Sequence, residues 1–436
     1  MHKLSQYCIF LKSKNEDRYW IYQTLYRRII EIKHSSYKNF KQGKFIFLSS
    51  VLKEKLKILG ILINYNKQKE QNNLYSYYYN KVKYFYTTPG IVIVPGFSCN
   101  LRCIYCYQGL YPKFTDSMDD GIVKKLIYWI NRHDKIKLGF YGGEPCIFDK
   151  KIIQILSGIK IPKIVSISLI TNGFVFPSDF LQELKKFNNV LIQITFAGDE
   201  NIHNKLRPTI SGQGSFEQVY KNLLKLIKIP NINLLVRIDV CDQNYSSIPH
   251  LLKKLSKLKK GIKLGFEKIL PPHIIPCDYR LNESKEQKIS KLYSIASKMG
   301  FKFPIGEKGD LPLFSFCASQ TLNAFAVNPK GEIFKCMGFA DLSEMNCGNL
   351  EKNGKITWNN NYFDWMSRVP FNINDCKKCP ILPLCNGGCA MEAFHKHGTI
   401  HAKGCTTWTN YGSNVIIPYL TTKYKLPPDL KIVKIN

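Results

Sequence analysis

The sequence predicts an α/β protein centred on a parallel β-sheet covered by helices, and three observations carry that expectation. Between Pro89 and about Pro271, six runs dense in β-branched residues alternate with segments of helical period. Several of those segments carry helix start signals. The chain, at 436 residues and 44% hydrophobic, is long enough to bury a substantial core. The strand runs are Ile91–Val94, Ile136–Phe140, Ile164–Ile170, Val190–Phe196, Ile232–Val240 and Ile262–Ile269. Ser117 with Asp120, and Ser215 with Gln218, read as capping boxes, while Ser178 after Pro177 marks another helix start. Parallel neighbours need crossover connections, so the alternation places helices outside the sheet. An open partial barrel and a doubly wound sheet both satisfy the pattern. In either, ligands gather at the carboxyl ends of the strands.

The flanks read differently. In residues 1–88, strand candidates Tyr7–Leu11 and Tyr19–Tyr22 precede helical stretches. Ser50–Leu59 carries Leu52, Leu56 and Leu59 at helical spacing before Gly60, as expected of a helix packed on a small core. Beyond Gly306 helical patterns fade while glycine, asparagine and cysteine become frequent. Such a texture suits a domain ordered by metal ligands. Three segments follow: 1–88, 89–305 and 306–436.

Composition narrows the function classes. No stretch approaches ~18 consecutive apolar residues, and residues 1–25 show no secretory signal pattern. A cytoplasmic setting is expected, without membrane contact, and there 15 cysteines point to metal binding more than to disulfides. The net charge of +31 invites a nucleic-acid reading, yet only nine of the 63 basic residues are arginine. Base readout relies on arginine, and the lysines are spread along the whole chain, so nucleic acid is not the expected partner.

The sharpest chemical signal is Cys99-Asn-Leu-Arg-Cys103-Ile-Tyr-Cys106, directly after the first strand of the alternating region. Three thiolates spaced four and three apart can hold three irons of a cubane and leave the fourth open. A zinc site normally presents four protein ligands, and this run has three with no histidine nearby. Gly142-Gly143-Glu144-Pro145 then ends the second strand, and Thr171-Asn172-Gly173 follows the third. After the fourth come Thr195-Phe-Ala197-Gly198, His203 and Arg207.

In that order these motifs resemble the radical S-adenosylmethionine (SAM) superfamily. The resemblance implies a partial (β/α)6 TIM-like barrel and a 4Fe-4S cluster on Cys99, Cys103 and Cys106. SAM would chelate the open iron and yield a 5′-deoxyadenosyl radical that abstracts hydrogen. By position Tyr105, Gly142, Gly143, Glu144, Thr195 and Arg207 would contact SAM. Ala197 departs from the family pattern, which has Asp there. His203 reads as structural, and Cys146 as a thiol near the strand ends able to donate a hydrogen atom. Arg237, on the fifth strand, could pair with a carboxylate of SAM or substrate.

A second cysteine set runs Cys317-x13-Gly331-x4-Cys336, then Cys376-x2-Cys379-x5-Cys385-x3-Cys389, with Cys405 beyond. Two zinc sites would suit that spacing, but the order resembles the SPASM domain, which binds two auxiliary 4Fe-4S clusters. The resemblance assigns Cys376, Cys379, Cys385 and Cys405 to a distal cluster. Cys317, Cys336 and Cys389 fall to the nearer one, with an open iron or Cys347 as the fourth ligand. Three clusters are thus expected in all. Cys8, Cys241 and Cys277 read as structural. A short N-terminal module, radical core and SPASM domain together resemble a maturase of ribosomally made precursor peptides. The N-terminal module would be winged-helix-like and recognise a leader peptide, and a reductant such as flavodoxin or ferredoxin would supply electrons. The runner-up, an anaerobic sulfatase-maturating enzyme, expects Asp immediately after Cys336, where this chain has Met337. An iron–sulfur protein acting on RNA is the alternative of another class.

Overall fold

Contacts in the computed structural model group the chain into two units that each draw on distant parts of the sequence. One comprises Met1–Phe85, Ile305–Cys317 and Arg368–Asn436; the other comprises Tyr86–Pro304 and Ala318–Ser367. The structure describes residues 2–83, 88–109, 117–269, 288–304, 317–405, 416–427 and 429–433. Cys277 lies outside them.

The first unit begins with β1 (Lys3–Leu4), β2 (Cys8–Ser13), β3 (Tyr19–Gln23) and β4 (Arg28–Ile32). Next come α1 (His34–Lys41), α2 (Ser50–Ile58), β5 (Leu62–Ile63) and α3 (Lys67–Tyr77). The two expected strands thus pair as β2 and β3 and are joined by β4. α2 opens on Ser49, whose side chain accepts from the Leu52 amide at 3.3 Å. Leu56 is buried, and Leu52 and Leu59 pack beside it as the helical spacing implies.

In the second unit, β6 (Gly90–Ile93) is followed by α4 (Asp120–Asn131), β7 (Ile136–Phe140) and α5 (Asp149–Ser157). The alternation continues through β8 (Ile164–Thr171), α6 (Ser178–Lys185), β9 (Val190–Phe196), α7 (Glu200–Leu206) and α8 (Phe216–Leu226). It ends with β10 (Ile232–Val240), α9 (Ile248–Leu255), β11 (Ile262–Lys268) and α10 (Lys288–Lys298). The six strands pair in parallel in sequential order. Helices and sheet share one apolar core, in which Phe180, Val219 and Leu252 meet Ile192, Val236 and Leu264. The sheet does not stop there. β12 (Ala324–Val327) pairs in parallel with β6, and β13 (Glu332–Phe334), β14 (Gly348–Leu350) and β15 (Ile356–Trp358) extend it to ten strands. α11 (Asn360–Ser367) closes this unit.

Two start signals work differently from the capping-box reading. α4 is capped by Asp119, which accepts from the Ile122 amide at 2.8 Å, rather than by Ser117. Ser215 precedes α8 but does not cap it. Asn204 accepts from the Phe216 amide instead, at 2.9 Å, and the Ser215 hydroxyl is used inside the fold.

The rest of the first unit holds α12 (Asn374–Lys377), α13 (Leu382–Cys385), α14 (Ala390–His397), α15 (Ile417–Tyr424) and β16 (Leu430–Val433). β16 pairs with β2, giving the order β16-β2-β3-β4. Asp429 fixes the junction by accepting from Ser13 Oγ at 2.9 Å and from the Lys14 and Asn15 amides at 2.8 Å. This sheet is buried on both faces. Trp20 and Tyr22 pack with Tyr419, Leu420 and Leu384, while Tyr19 and Ile21 pack with Phe40 and Leu56. β3 therefore reads as unbroken apolar sequence, Tyr-Trp-Ile-Tyr, because neither face needs polar side chains.

Candidate active site

Every expected contact in the second unit lies at the carboxyl ends of its parallel strands, where the fold concentrates chemistry. The loop after β6 carries Cys99, Cys103 and Cys106, and backbone pairing fixes its course. Arg102 and Ile104 donate to the carbonyls of Pro208 and Leu206 at 2.7 and 3.1 Å, and Ile210 donates to Asn100 at 3.2 Å. The same pairing sets Arg207 beside the thiols.

The glycine pair after β7 has a steric reason. Gly143 and Glu144 donate to the Gly96 and Ser98 carbonyls at 3.2 and 2.9 Å. A Cβ on Gly143 would collide with the carbonyl oxygens of Phe97 and Ser98. Gly142 has φ +143°, a conformation that side chains resist. Glycine lets the two loops touch.

Glu144 is fully buried behind this contact. One carboxylate oxygen accepts from Thr171 Oγ1 at 2.6 Å and the Cys146 amide at 2.9 Å; the other accepts from the Asn172 amide at 2.7 Å. Burial pushes its pKa up, and those hydrogen bonds pull it back. Asn172 in turn donates to Asn100 at 2.7 Å and approaches Cys99 Sγ at 3.6 Å. Glu144 thus ties the ends of β7 and β8 to the cysteine loop from behind.

An open cleft of about 800 Å³ lies in front, lined among others by Cys99, Cys103, Cys106, Tyr105, Gly142, Gly143, Thr195 and Arg207. Arg207 is buried, and Nη1 donates to Tyr105 Oη at 3.0 Å. Tyr105 lies 3.3 Å from Asp239 Oδ2, and Asp239 Oδ1 accepts from Arg237 Nε at 2.6 Å. Burial opposes the charge of Arg207, but Cys103, Tyr105 and Asp239 outweigh it and hold its pKa up. Its Nε is buried with no partner among the described residues. Asp239, which joins the two arginines, is the residue that motif reading missed. Its signal was the alternation Arg237-x-Asp239 at a strand end, which puts both side chains on one face.

His203 is structural, as its sequence context implied. The Ala197 amide donates to Nδ1 at 3.3 Å, so Nε2 carries the hydrogen toward Ser215 Oγ at 3.1 Å. Ser215 then donates to the Arg207 carbonyl at 2.5 Å. Burial lowers the His203 pKa far enough to keep the ring neutral. Cys146 is the departure: its thiol is fully buried in the apolar core beside Thr171 Oγ1 at 3.5 Å and does not line the cleft. The peptide after Pro145 turns inward as its amide bonds Glu144, so the thiol sits at the strand ends but points into the core behind the cleft.

The donor set fits an iron–sulfur cluster. Burial pushes Cys99 up and Cys103 up to about 12, both thiols feel Cys106 and Cys103 also feels Cys99, so bound cations would be needed to keep three thiolates together. Among the described residues no three His, Cys, Asp or Glu side chains close on a single ion. A cubane asks for less, because each thiolate meets its own iron. Also lining the cleft, next to Cys106, Tyr107 and Tyr141 share a 2.6 Å hydrogen bond, and the carboxyl of Asp341 bears on both. Burial pushes Asp341 up to about 6.

Comparison with known proteins agrees with this geometry. The family model described as the Radical SAM superfamily matches residues 93–255. Those residues form a radical SAM domain. The chain is 24% identical over 345 residues to the radical SAM cyclopropyl synthase TigE of Paramaledivibacter caminithermalis, covering 71% of this chain and 69% of that one. A cysteine-type anaerobic sulfatase-maturating enzyme of Clostridium novyi is 26% identical over 343 residues, covering 69% and 87%. Among solved structures, native anSMEcpe with bound AdoMet shares the fold with TM-score 0.58 at 19% identity, over 78% of this chain and all of that one. Streptococcus suis SuiB does so with TM-score 0.53 at 15% identity, over 92% and 98%.

The remaining cysteines of the chain fall in both units. In the first, Cys376 is pushed up to about 12 by burial and lies within electrostatic reach of Cys405 and Cys379, while Cys385 feels Cys379, Cys376 and Cys405. Cys389 is pushed up to about 11 by burial, with Cys317 nearby. The Cys389 amide donates to the Gly404 carbonyl at 3.1 Å, and Gly404 donates to Gly387 at 3.2 Å, which brings Cys405 beside the Cys385–Cys389 loop. Cys336 and Cys347 belong to the second unit. The buried Cys347 thiol donates to the Met345 carbonyl at 3.5 Å.

Proposed function

We propose that this protein is a radical SAM peptide maturase that abstracts hydrogen from a ribosomally synthesised precursor peptide, leading to a crosslink or an epimerised residue. The observation that carries the reading is the cleft itself. Three thiols stand beside Tyr105, Thr195 and Arg207, and the buried Nε of Arg207 points to a missing acceptor. A bound cluster on Cys99, Cys103 and Cys106 would supply the electron that cleaves SAM to the 5′-deoxyadenosyl radical. Arg207 and Thr195 would hold the carboxylate of SAM, the backbone of Gly142 and Gly143 its amino group, and Arg237 a carboxylate of the substrate. Glu144 would position that backbone rather than touch the ligand.

Support for a peptide substrate comes from the relatives, since SuiB has been solved bound to precursor peptide SuiA, with TM-score 0.51 to this chain. Residues 1–88 would form the leader-recognition module, using an open sheet edge for strand addition. Because β16 covers β2, β4 is the edge of that sheet left open among the described residues. Residues 89–305 would be the radical core and 306–436 the SPASM domain, in a cytoplasmic protein fed by flavodoxin or ferredoxin. Cys376, Cys379, Cys385 and Cys405 would hold one auxiliary cluster. Cys317, Cys336 and Cys389 would hold the other, and the bond from Cys347 to Met345 argues for an open iron there. No described helix is long and apolar enough to cross a membrane.

Co-expression with a short peptide encoded beside the gene tests the proposal. Loss of two hydrogens marks a crosslink, and an unchanged mass with deuterium uptake marks epimerisation. An unmodified peptide in the presence of active SAM cleavage would sink the reading. Formylglycine formation is favoured by one observation: Asp341, four residues past Met337, places a half-buried carboxyl of raised pKa near the tyrosine pair of the cleft. An aldehyde trapped by hydroxylamine in a Cys-containing sulfatase peptide would select that second reading.

A further inference from the structure

Arg368 is buried in the first unit, within the loops that carry its cysteines. Nη2 donates to the Gly387 carbonyl at 2.8 Å and to Ala402 at 3.2 Å, and Nε donates to Ile400 at 2.5 Å. Gly387 lies midway between Cys385 and Cys389, and Ala402 lies three residues before Cys405. One guanidinium therefore spans both cysteine-bearing segments. The thiols that bear on its charge are Cys376, Cys389, Cys317 and Cys385, drawn from both expected ligand groups. Burial works against the cation and those sulfurs work for it. A buried cation is costly unless its surroundings are anionic, and a cluster held by thiolates carries net negative charge.

We propose that Arg368 is the shared charge-compensating residue of the two auxiliary clusters, raising their reduction potentials and helping to retain them. The inference rests on the auxiliary-cluster reading. Reduction adds an electron to an already anionic cluster, so a fixed positive charge nearby stabilises the reduced state. In water the effect would be slight; in a buried site it is much larger. Arg368 acts through the clusters and touches no substrate.

The test uses full-length enzyme purified anaerobically, with iron, sulfide and zinc analysis followed by an EPR-monitored redox titration. Arg368→Gln removes the charge and keeps amide donors, whereas Arg368→Lys keeps the charge. The expected result is an auxiliary midpoint lowered at least tenfold in equilibrium constant by Arg368→Gln, about 59 mV for one electron. The cluster on Cys99, Cys103 and Cys106, whose loop carries none of the carbonyls that Arg368 binds, should keep its midpoint. Arg368→Lys should restore most of the shift. If Arg368→Gln sheds auxiliary iron while Arg368→Lys retains it, charge compensation is again supported. Loss of iron in both variants would mean that Arg368 only clamps loops and would overturn the proposal, as would full retention with unmoved midpoints. Wild-type enzyme with zinc and no auxiliary iron would overturn the cluster reading itself, a result visible before any variant is made.

Discussion

The strand-end cleft of the second unit and the cysteine loops of the first are both rich in thiols, but they are held in place by different means. Around the cleft, a parallel sheet with a large apolar core fixes the loops, and buried polar groups such as Glu144 and Asp239 complete them. Around Cys376–Cys405, helices are as short as four residues, and order comes from the Gly387–Gly404 backbone contact, Arg368 and smaller apolar clusters. The first site is preorganised by the fold; the second would draw on the clusters proposed for it. That contrast predicts opposite responses to ligand loss.

The largest effect should come from replacing Cys99, Cys103 and Cys106 together by Ala. The expected result is complete loss of SAM cleavage and about one cubane of iron, with the parallel sheet and its helices still folded, because their core does not involve those side chains. Replacing Cys376 and Cys379 by Ala should do the reverse. SAM cleavage should persist, while the first unit loses several kcal/mol of folding free energy and becomes protease-sensitive, since metal ligation supplies folding energy there. If both variants merely lost iron with equal stability, the contrast would collapse.

Glu144→Gln sharpens the comparison inside the cleft. Its carboxylate accepts three hydrogen bonds, and an amide nitrogen would face at least one of those donors. The expected cost is about 2–4 kcal/mol in urea unfolding, with weaker SAM binding as a consequence. A variant with weakened SAM binding and unchanged stability would instead argue that Glu144 reaches the ligand. Asp239→Asn should cost less, about 1.5–3 kcal/mol in SAM affinity, because the amide oxygen of Asn can still accept from one of the two arginines. The KM should rise more than kcat falls.

The same contrast explains what could be read from residue order alone. The parallel strands and the cysteine loop were legible because β-branched runs and cysteine spacing are local patterns. Asp239, Asn244 and Ser215 were not, because their roles depend on which strand ends meet: Asn244 donates to the Ala197 and Asp239 carbonyls at 3.2 and 2.7 Å across two strands. Cys146 misled for the same reason, since adjacency to Gly-Gly-Glu-Pro does not say which way a side chain turns. The strand β16 closing the N-terminal sheet was invisible, because a pairing across some 420 residues leaves no mark in either segment. Glu144 sat in a motif, yet its saturation by Thr171 and Asn172 became visible only with the chain folded.

The smallest expected effect concerns Asp341, and its sign is informative. Burial raises the carboxyl from 3.8 to about 6, so ionisation costs the folded state free energy. The penalty is absent below about pH 3.8, where both states are protonated, grows as pH rises, and is complete above about pH 6. The full shift would correspond to about 3 kcal/mol, and partial exposure of the side chain reduces that to roughly 1–2 kcal/mol. Asp341→Asn should therefore stabilise the second unit, by about twice as much at pH 8 as at pH 5, in urea unfolding followed at both values. A stability gain with undiminished peptide modification would make Asp341 a tolerated half-buried acid. A gain accompanied by loss of modification, with SAM cleavage intact, would mark the carboxyl as kept for its chemistry against its cost in stability. A loss of stability at pH 8 would show instead that the carboxylate is partnered in the folded enzyme, and the strand-end site would then be preorganised on this side as fully as it is around Glu144.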